Sequence, residues 1–472
     1  MTRTTTHEHT PYHPGTFEAL RFHAATAAFR DGTDSPREYL ERCLATIADR
    51  EPVVRAWVVL NEEGARRRAD ESTERWRRGA PLSPIDGMPI GIKDLLETRD
   101  LPTQMGCAAF AGNFPKRDNA AVWALRQAGA VILGKTVTTE LGGPEPSPTT
   151  NPFDPRRTPG GSSSGSGAAV GARMVPATIA TQTGGSLMRP ASFNGVWGLK
   201  PSQGAINRGE RQTASMTTHG VHAGSAEDMW LVAIEIASRA GGDPGRPALH
   251  GPATPPPARV PSTIAVVETD AWERLDPVSR SAFEQVVAQI EAAGATTLRR
   301  GDDAVLERFE QALVGVTQLG SEILAWEHAW AFRDLATDRP DDFSARVKRF
   351  FFDTADRLGP AGYEEALRTR AAVTASYALL GNRVDAVLLP TSSGPAPVWS
   401  GDTPGEPPVR WPTGDPGFNF PSSLLGAPAV NVPLMGVHGL PFGLQVMGQH
   451  GTDARTVAIA RWMGEHLTPV SV

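Results

Sequence analysis

Apolar and polar positions along the chain alternate between helical and strand spacing. Residues 17–30 and 36–49 read as helices, the second opened by Ser35-Pro36-Arg37-Glu38, in which Ser35 caps, Pro36 takes the first helical position and Glu38 completes a capping box. Residues 88–92 form a short apolar run between Gly87 and Lys93-Asp94, the pattern of a buried strand that delivers Lys93 at its C-terminal end, and it is expected to be the first strand of the chain. Residues 118–127 read as a helix and 130–133 as a strand, 168–174 as a helix of small residues and 177–181 as a strand. Ser225 to Asp228 opens a helix to about residue 240, with S-A-E-D as its capping box. Strand 263–267 and helix 277–293 resume the alternation; 304–375 is mostly helical, and 385–390, 429–433 and 440–448 are late strands before a closing helix from Asp453. This alternation is that of an α/β protein.

Composition narrows the picture. Length leaves the domain count open. No window of 18 apolar residues suggests a membrane span. A net charge of −6 gives no footprint for nucleic acid, and the basic cluster Arg66, Arg67, Arg68, Arg75, Arg77 and Arg78 is interleaved with Asp70, Glu71 and Glu74 as a solvated helix face should be. Cys43 and Cys107 alone supply neither a disulfide framework nor a metal-ligand quartet, which fits a reducing cytoplasm; no metal and no cofactor are expected. Residues 1–15 lack the apolar core of a signal peptide and read as a flexible tail; His7, His9 and His13 are read as part of it and not as a metal site. The Gly/Pro-rich stretch 241–261 reads as a surface connector.

Three motifs fail on context. Residues 129–136 match G-x-x-x-x-G-K-[ST] letter for letter, but a helix precedes them, the would-be phosphate loop is an apolar strand, and Gly142, Gly143, Pro144, Pro146 and Pro148 interrupt any following helix. Residues 161–165 match G-x-S-x-G, yet the proline-studded stretch 151–159 before them cannot be the strand that a nucleophile elbow requires. Gly165-Ser166-Gly167 is a weak dinucleotide fingerprint that also lacks its strand.

The window 159–201 concentrates small and hydroxyl-bearing residues in two Ser/Gly clusters, 160–167 and 183–186, which bring backbone N–H groups and hydroxyls together. Ser162 and Ser186 stand 24 residues apart, Lys200-Pro201 follows, and Gly91-Ile92-Lys93-Asp94 lies upstream. This arrangement resembles the amidase signature family of serine hydrolases, over about residues 15–465, densely in 86–203 and thinly in 205–380; GLPFGLQVMG near the C-terminus resembles the family's closing segment. The resemblance implies one mixed-sheet α/β/α domain over residues 16–472, with a variable, substrate-shaping region at about 300–380. It implies Ser186 as nucleophile, Ser162 in a cis peptide as relay and Lys93 as base.

The residues support that chemistry without histidine. Amide hydrolysis needs a nucleophile, a base and donors for the oxyanion, and the N–H groups of Thr183, Gly184, Gly185 and Ser186 can converge on a carbonyl, each donor lowering the barrier by about 3 to 4 kcal/mol. Lys93 must be neutral to act, and bringing a lysine from about 10.4 to about 7 costs roughly 4 kcal/mol, within reach of burial in a hydroxyl-lined cleft poor in carboxylates. Met105, Gly106, Cys107, Gly161 and Gln182 are the expected substrate-binding residues, Cys107 standing where the family often carries a pocket-wall serine. Ser163 and Ser166 read as turn and cap hydroxyls. Three positions depart from the family pattern: Gln182 replaces an aspartate, Arg189 falls three residues after the nucleophile instead of two, and Ser164 replaces a glycine.

The expected substrate is a small carboxamide, or a carbamate or urea-like bond. Aromatic residues in the late loops, 394–417 among them, favour a bulky or aryl group, and acidic substrates are disfavoured for want of an inward arginine. The rival readings are a glutaminase subunit of a tRNA-dependent amidotransferase and a nucleotide-binding protein using 129–136. A homodimer is compatible with the sequence, which does not fix the oligomeric state.

Overall fold

The computed structural model describes residues 11–209 and 214–472. Its strands are β1 (Trp57–Leu60), β2 (Pro89–Lys93), β3 (Val131–Thr136), β4 (Ala177–Gln182), β5 (Trp197–Lys200), β6 (Thr218–Ala223), β7 (Thr263–Val266), β8 (Thr296–Leu298), β9 (Ala386–Pro390), β10 (Ala429–Val437), β11 (Leu440–Met447) and β12 (Val470–Ser471). They join in one mixed sheet of order β1-β3-β2-β4-β6-β5-β10-β11-β9-β7-β8, with β12 beside β10. β2 lies parallel between β3 and β4, the strands from β4 through β9 pair antiparallel in succession, and β7 is parallel to both β9 and β8.

Helices cover both faces, so central strands such as β2, β3, β4 and β6 are buried at every position instead of alternating between buried and exposed. On β3, Ile132 belongs to one core while Val131 and Leu133 belong to another, as the period of two requires. The chain is thus an α/β fold with a single mixed sheet between helical layers.

Several expectations shift. The first helix spans Phe22–Asp31 and does not begin at residue 17, because the buried Asp228 carboxylate accepts from Phe22 N at 2.7 Å and His23 N at 2.8 Å and so caps it there. Ser225 caps its own helix by accepting from Asp228 N. The second helix runs on to Val54, and β1 precedes the strand expected to come first. The small-residue helix is Ser164–Gly171, four residues earlier than its pattern implied. The short strands β5 and β6 and the helix Met188–Phe193 have no counterpart in the expected pattern. The tail expected through residue 15 is packed from Tyr12, which is buried and donates its N–H to Gly439 O; His7 and His9 lie outside the described residues.

The apparent nucleotide motif is overturned. Gly134, Lys135 and Thr136 lie in β3, with Lys135 fully buried, its Nζ 3.0 Å from Asp94 Oδ1 and donating to Thr103 Oγ1 and Pro102 O. A lysine committed to an internal carboxylate has no phosphate to meet. Among the described residues no helix is long and apolar enough to cross a membrane.

Candidate active site

β2 carries Lys93 to the carboxyl edge of the sheet, where the side chain is completely buried. Its Nζ donates to Ser162 Oγ at 2.8 Å and to Thr181 Oγ1 at 2.9 Å. Among the described residues no carboxylate lies within ion-pair distance of it, and burial holds its pKa well below the ordinary lysine range. His219 and His222 on β6 are buried too. Burial lowers them to about 3 and about 4, partly offset at His222 by its hydrogen bond to Leu187 O, so both are neutral beside Lys93.

The two Ser/Gly clusters are stitched together here. The Gly161–Ser162 peptide is cis; Arg189 Nη2 donates to Gly161 O at 2.8 Å, and Ser162 O accepts from Thr139 N. Ser163 N donates to Ser186 O at 3.2 Å, and Ser163 Oγ donates to Thr181 O at 3.1 Å. Ser163 is therefore a buried joint and not an exposed elbow. Ser166 Oγ is 2.7 Å from Thr136 Oγ1, inside the protein.

After β4 the chain turns through Thr183, Gly184 and Gly185 to Ser186. Among the described residues the N–H groups of Gly184, Gly185 and Ser186 have no acceptor within the protein. A Cβ on Gly185 would fall 2.2 Å from Arg189 Nη1 and 2.5 Å from Asn419 Oδ1, and one on Gly184 2.9 Å from the Phe420 ring. Close packing behind the turn thus demands the two glycines. Thr183 Oγ1 bonds to Thr217 Oγ1 instead of facing the opening.

A cavity of about 500 Å³ opens on Gly161, Ser162, Gly184, Gly185 and Ser186. Its walls come from afar, from two later segments, Thr317 to Arg357 (Thr317, Gln318, Ser321, Glu322, Leu324, Phe350, Thr354 and Arg357) and Arg410 to Phe420 (Arg410 to Gly414, Pro416 and Phe420), together with Gly142 to Pro144. Of the sequence-predicted binding residues, Gly161 lines this cavity. Met105, Gly106 and Cys107 do not: Asp94 O accepts from Met105 N, Met105 O from Leu141 N, and the Cys107 thiol is buried against Glu140 and Asp342 O, with burial raising it to about 11. That loop braces the strand end behind Lys93. Thr181, Arg189, Arg357 and Arg410 are site residues that sequence reasoning missed or left aside; the spacing of the hydroxyl-rich β4 was the signal for Thr181, whereas nothing local marks the two distal arginines.

The Amidase family model matches residues 38–457. The chain belongs to the amidase signature family. The A subunit of glutamyl-tRNA(Gln) amidotransferase from Chloroflexus aggregans is 31% identical over 93% of this chain and 95% of its own. A solved amidase superposes with a TM-score of 0.80 at 29% identity, covering 95% of this chain and 100% of that one. A structure from a vestigial protein complex bearing on the origins of an s-triazine catabolic enzyme does so at 0.78 and 26%, covering 94% and 99%. Enzymes of the family are hydrolases or amidotransferases acting on carbon–nitrogen bonds.

Within this amidase-family chain the departures at residues 182 and 189 have physical roles. Gln182 is buried; its Oε1 accepts from Leu187 N and Met188 N, both at 3.0 Å, while its Nε2 donates to Ser423 Oγ at 3.0 Å and Ser422 Oγ at 3.3 Å. Ser423 Oγ in turn donates to Gly184 O. A carboxylate would accept as well but could not donate to those hydroxyls, so the amide fits this neutral network better. Gln182 is not on the cavity wall: it positions the Ser186 turn, and the expectation of a binding role fails because both ends of the amide are spent internally. Arg189 reaches the cavity from the helix Met188–Phe193, where burial lowers it to about 10, leaving it charged at neutral pH.

Proposed function

We propose that the chain is an amidase that hydrolyses a small carboxamide, or a related carbamate or urea-like bond, through an acyl-enzyme on Ser186. The observation that carries this reading is the 2.8 Å hydrogen bond from Lys93 Nζ to Ser162 Oγ, with no carboxylate of the described residues within ion-pair distance of that amine, and with Ser162 and Ser186 lining one cavity. Burial favours the neutral amine, the form that can take a proton. Ser186 Oγ adds to the substrate carbonyl as its proton passes to Ser162 and the Ser162 proton to Lys93. The unpartnered N–H groups of Gly184, Gly185 and Ser186 suit the resulting oxyanion. Collapse breaks the carbon–nitrogen bond, the leaving nitrogen takes the proton back along the same route, and water repeats the sequence to free the acid. Thr181 and Arg189 are positioning residues, the one for Lys93 and the other for the Gly161–Ser162 peptide.

The test is intact-protein mass after exposure to a fluorophosphonate, with peptide mapping. One adduct on Ser186, absent in Ser186→Ala and slowed in Lys93→Ala, is expected; an adduct on Ser163 or none at all overturns the assignment.

A second reading, the glutaminase subunit of a tRNA-dependent amidotransferase, is favoured by the names of the relatives at 30 and 31% identity. Ammonia release from glutamine that appears only when partner subunits and charged tRNA are added would carry it, while turnover of simple amides by the chain alone favours the first.

A further inference from the structure

The cavity wall holds more positive charge than its own structure uses. Arg37, Arg42, Arg66 and Arg68, elsewhere on the surface, each meet a carboxylate. Arg357 and Arg410 do not: among the described residues, Arg357 donates only to Thr354 Oγ1 at 3.1 Å, and Arg410 lies over the Trp411 ring at 4.3 Å. Both line the cavity that opens on Ser186. The nearby acids are spoken for, because Arg346 takes both Glu145 and Asp402. Arg346 also donates to Val409 O at 2.6 Å, which fixes the backbone immediately before Arg410. Deeper in, Arg189 Nη1 is buried with no partner, and Thr317 Oγ1 likewise. Among the described residues, Glu322, accepting from Gln318 Nε2, is the one carboxylate on this wall against three guanidinium groups.

We propose that this cavity selects an amide whose far end carries a carboxylate, held by Arg357 and Arg410 while its apolar middle lies against Phe350, Trp411 and Phe420. The inference rests on Ser186 as the reacting residue. It runs against the expectation that acidic substrates are disfavoured, since the arginines on this wall come from segments distant in sequence from the signature. One exposed ion pair adds little, but two guanidinium groups on one concave wall give an anion charge-assisted hydrogen bonds from both.

The experiment uses the full chain and the rate of fluorophosphonate labelling at Ser186, with ω-carbamoyl carboxylates of increasing chain length as competitors, each beside the neutral alkanamide of equal length. At least one acid is expected to protect at a concentration about tenfold below its neutral partner, the scale of a charge-assisted contact. In the double variant Arg357→Gln, Arg410→Gln the ratio falls to about one, and Arg357→Lys, Arg410→Lys regains part of it; because a ratio is read within each variant, a general loss of folding or reactivity cancels. Equal protection at every length in the unmodified chain, or an undiminished ratio in the glutamine variant, overturns the proposal. Should Ser186 take no adduct, the hydrolase assignment has failed separately, and calorimetric titration with the same acids decides: arginine-dependent binding upholds the anion site and absent binding overturns it.

Discussion

Two lysines on neighbouring strands share one sheet, one degree of burial and opposite fates. Lys93 ends β2 and Lys135 lies in β3, in register with Ile92, so the alternation of side chains sends the two to opposite faces. Lys93 meets only hydroxyls, Ser162 and Thr181; Lys135 meets Asp94, the residue directly after Lys93. Burial lowers both lysines and raises Asp94, but the ion pair opposes the shift at Lys135 and Asp94, and nothing comparable opposes it at Lys93. Burial alone therefore does not make a base. What a buried amine faces decides which proton state it keeps.

Exchanging each lysine for methionine separates the two roles. Lys93→Met should slow labelling of Ser186 by about a thousandfold or more, as loss of a general base does. It should also abolish the rise of labelling with pH, which in the unmodified chain has its midpoint well below about 10.4. Stability should not fall. With its folded pKa depressed, Lys93 binds more protons in the unfolded chain between the two pKa values, so the unmodified chain gains stability as pH rises through that window and Lys93→Met does not. Thermal melts across pH check the sign, and a destabilised Lys93→Met at neutral pH would contradict it.

Lys135→Met should behave in reverse. Removing one partner of a buried pair leaves Asp94 without its counter-charge, at a cost of about 3 to 5 kcal/mol in a denaturant titration. Labelling per folded molecule should stay within about threefold, since Lys135 touches neither serine. A collapse of labelling without loss of stability would erase the distinction between the faces.

The smallest effect tests the hydroxyl partner. Thr181→Val removes an acceptor that favours the charged amine, so the labelling midpoint should move to lower pH and the plateau fall by about tenfold. A midpoint that moves upward, or a melt that drops with no change in the profile, would make Thr181 a packing residue only.

Much of the floor was legible because it is local in sequence. Ser162, Ser186 and the glycines before Ser186 lie within one stretch whose pattern follows from its chemistry, and the strand ending in Lys93 is marked by its own short apolar run upstream. The walls were not, since Arg357 and Arg410 are brought to Ser186 only by the fold. Met105 to Cys107 misled because a loop that braces the strand end has the same small, polar make-up as one that touches ligand. The late start of the first helix is a long-range effect as well, set by Asp228 more than two hundred residues away.

Arg346 has a consequence for inheritance. One guanidinium ties Glu145, just past the floor, to Asp402 and Val409 in the loop that leads into Arg410. Exchanging the stretch 402–416 between relatives, by recombination or in a shuffled library, would strand that joint unless residues 145 and 346 travel with it. The pieces of the chain that wall the cavity are separate in the gene but must be varied as a linked set.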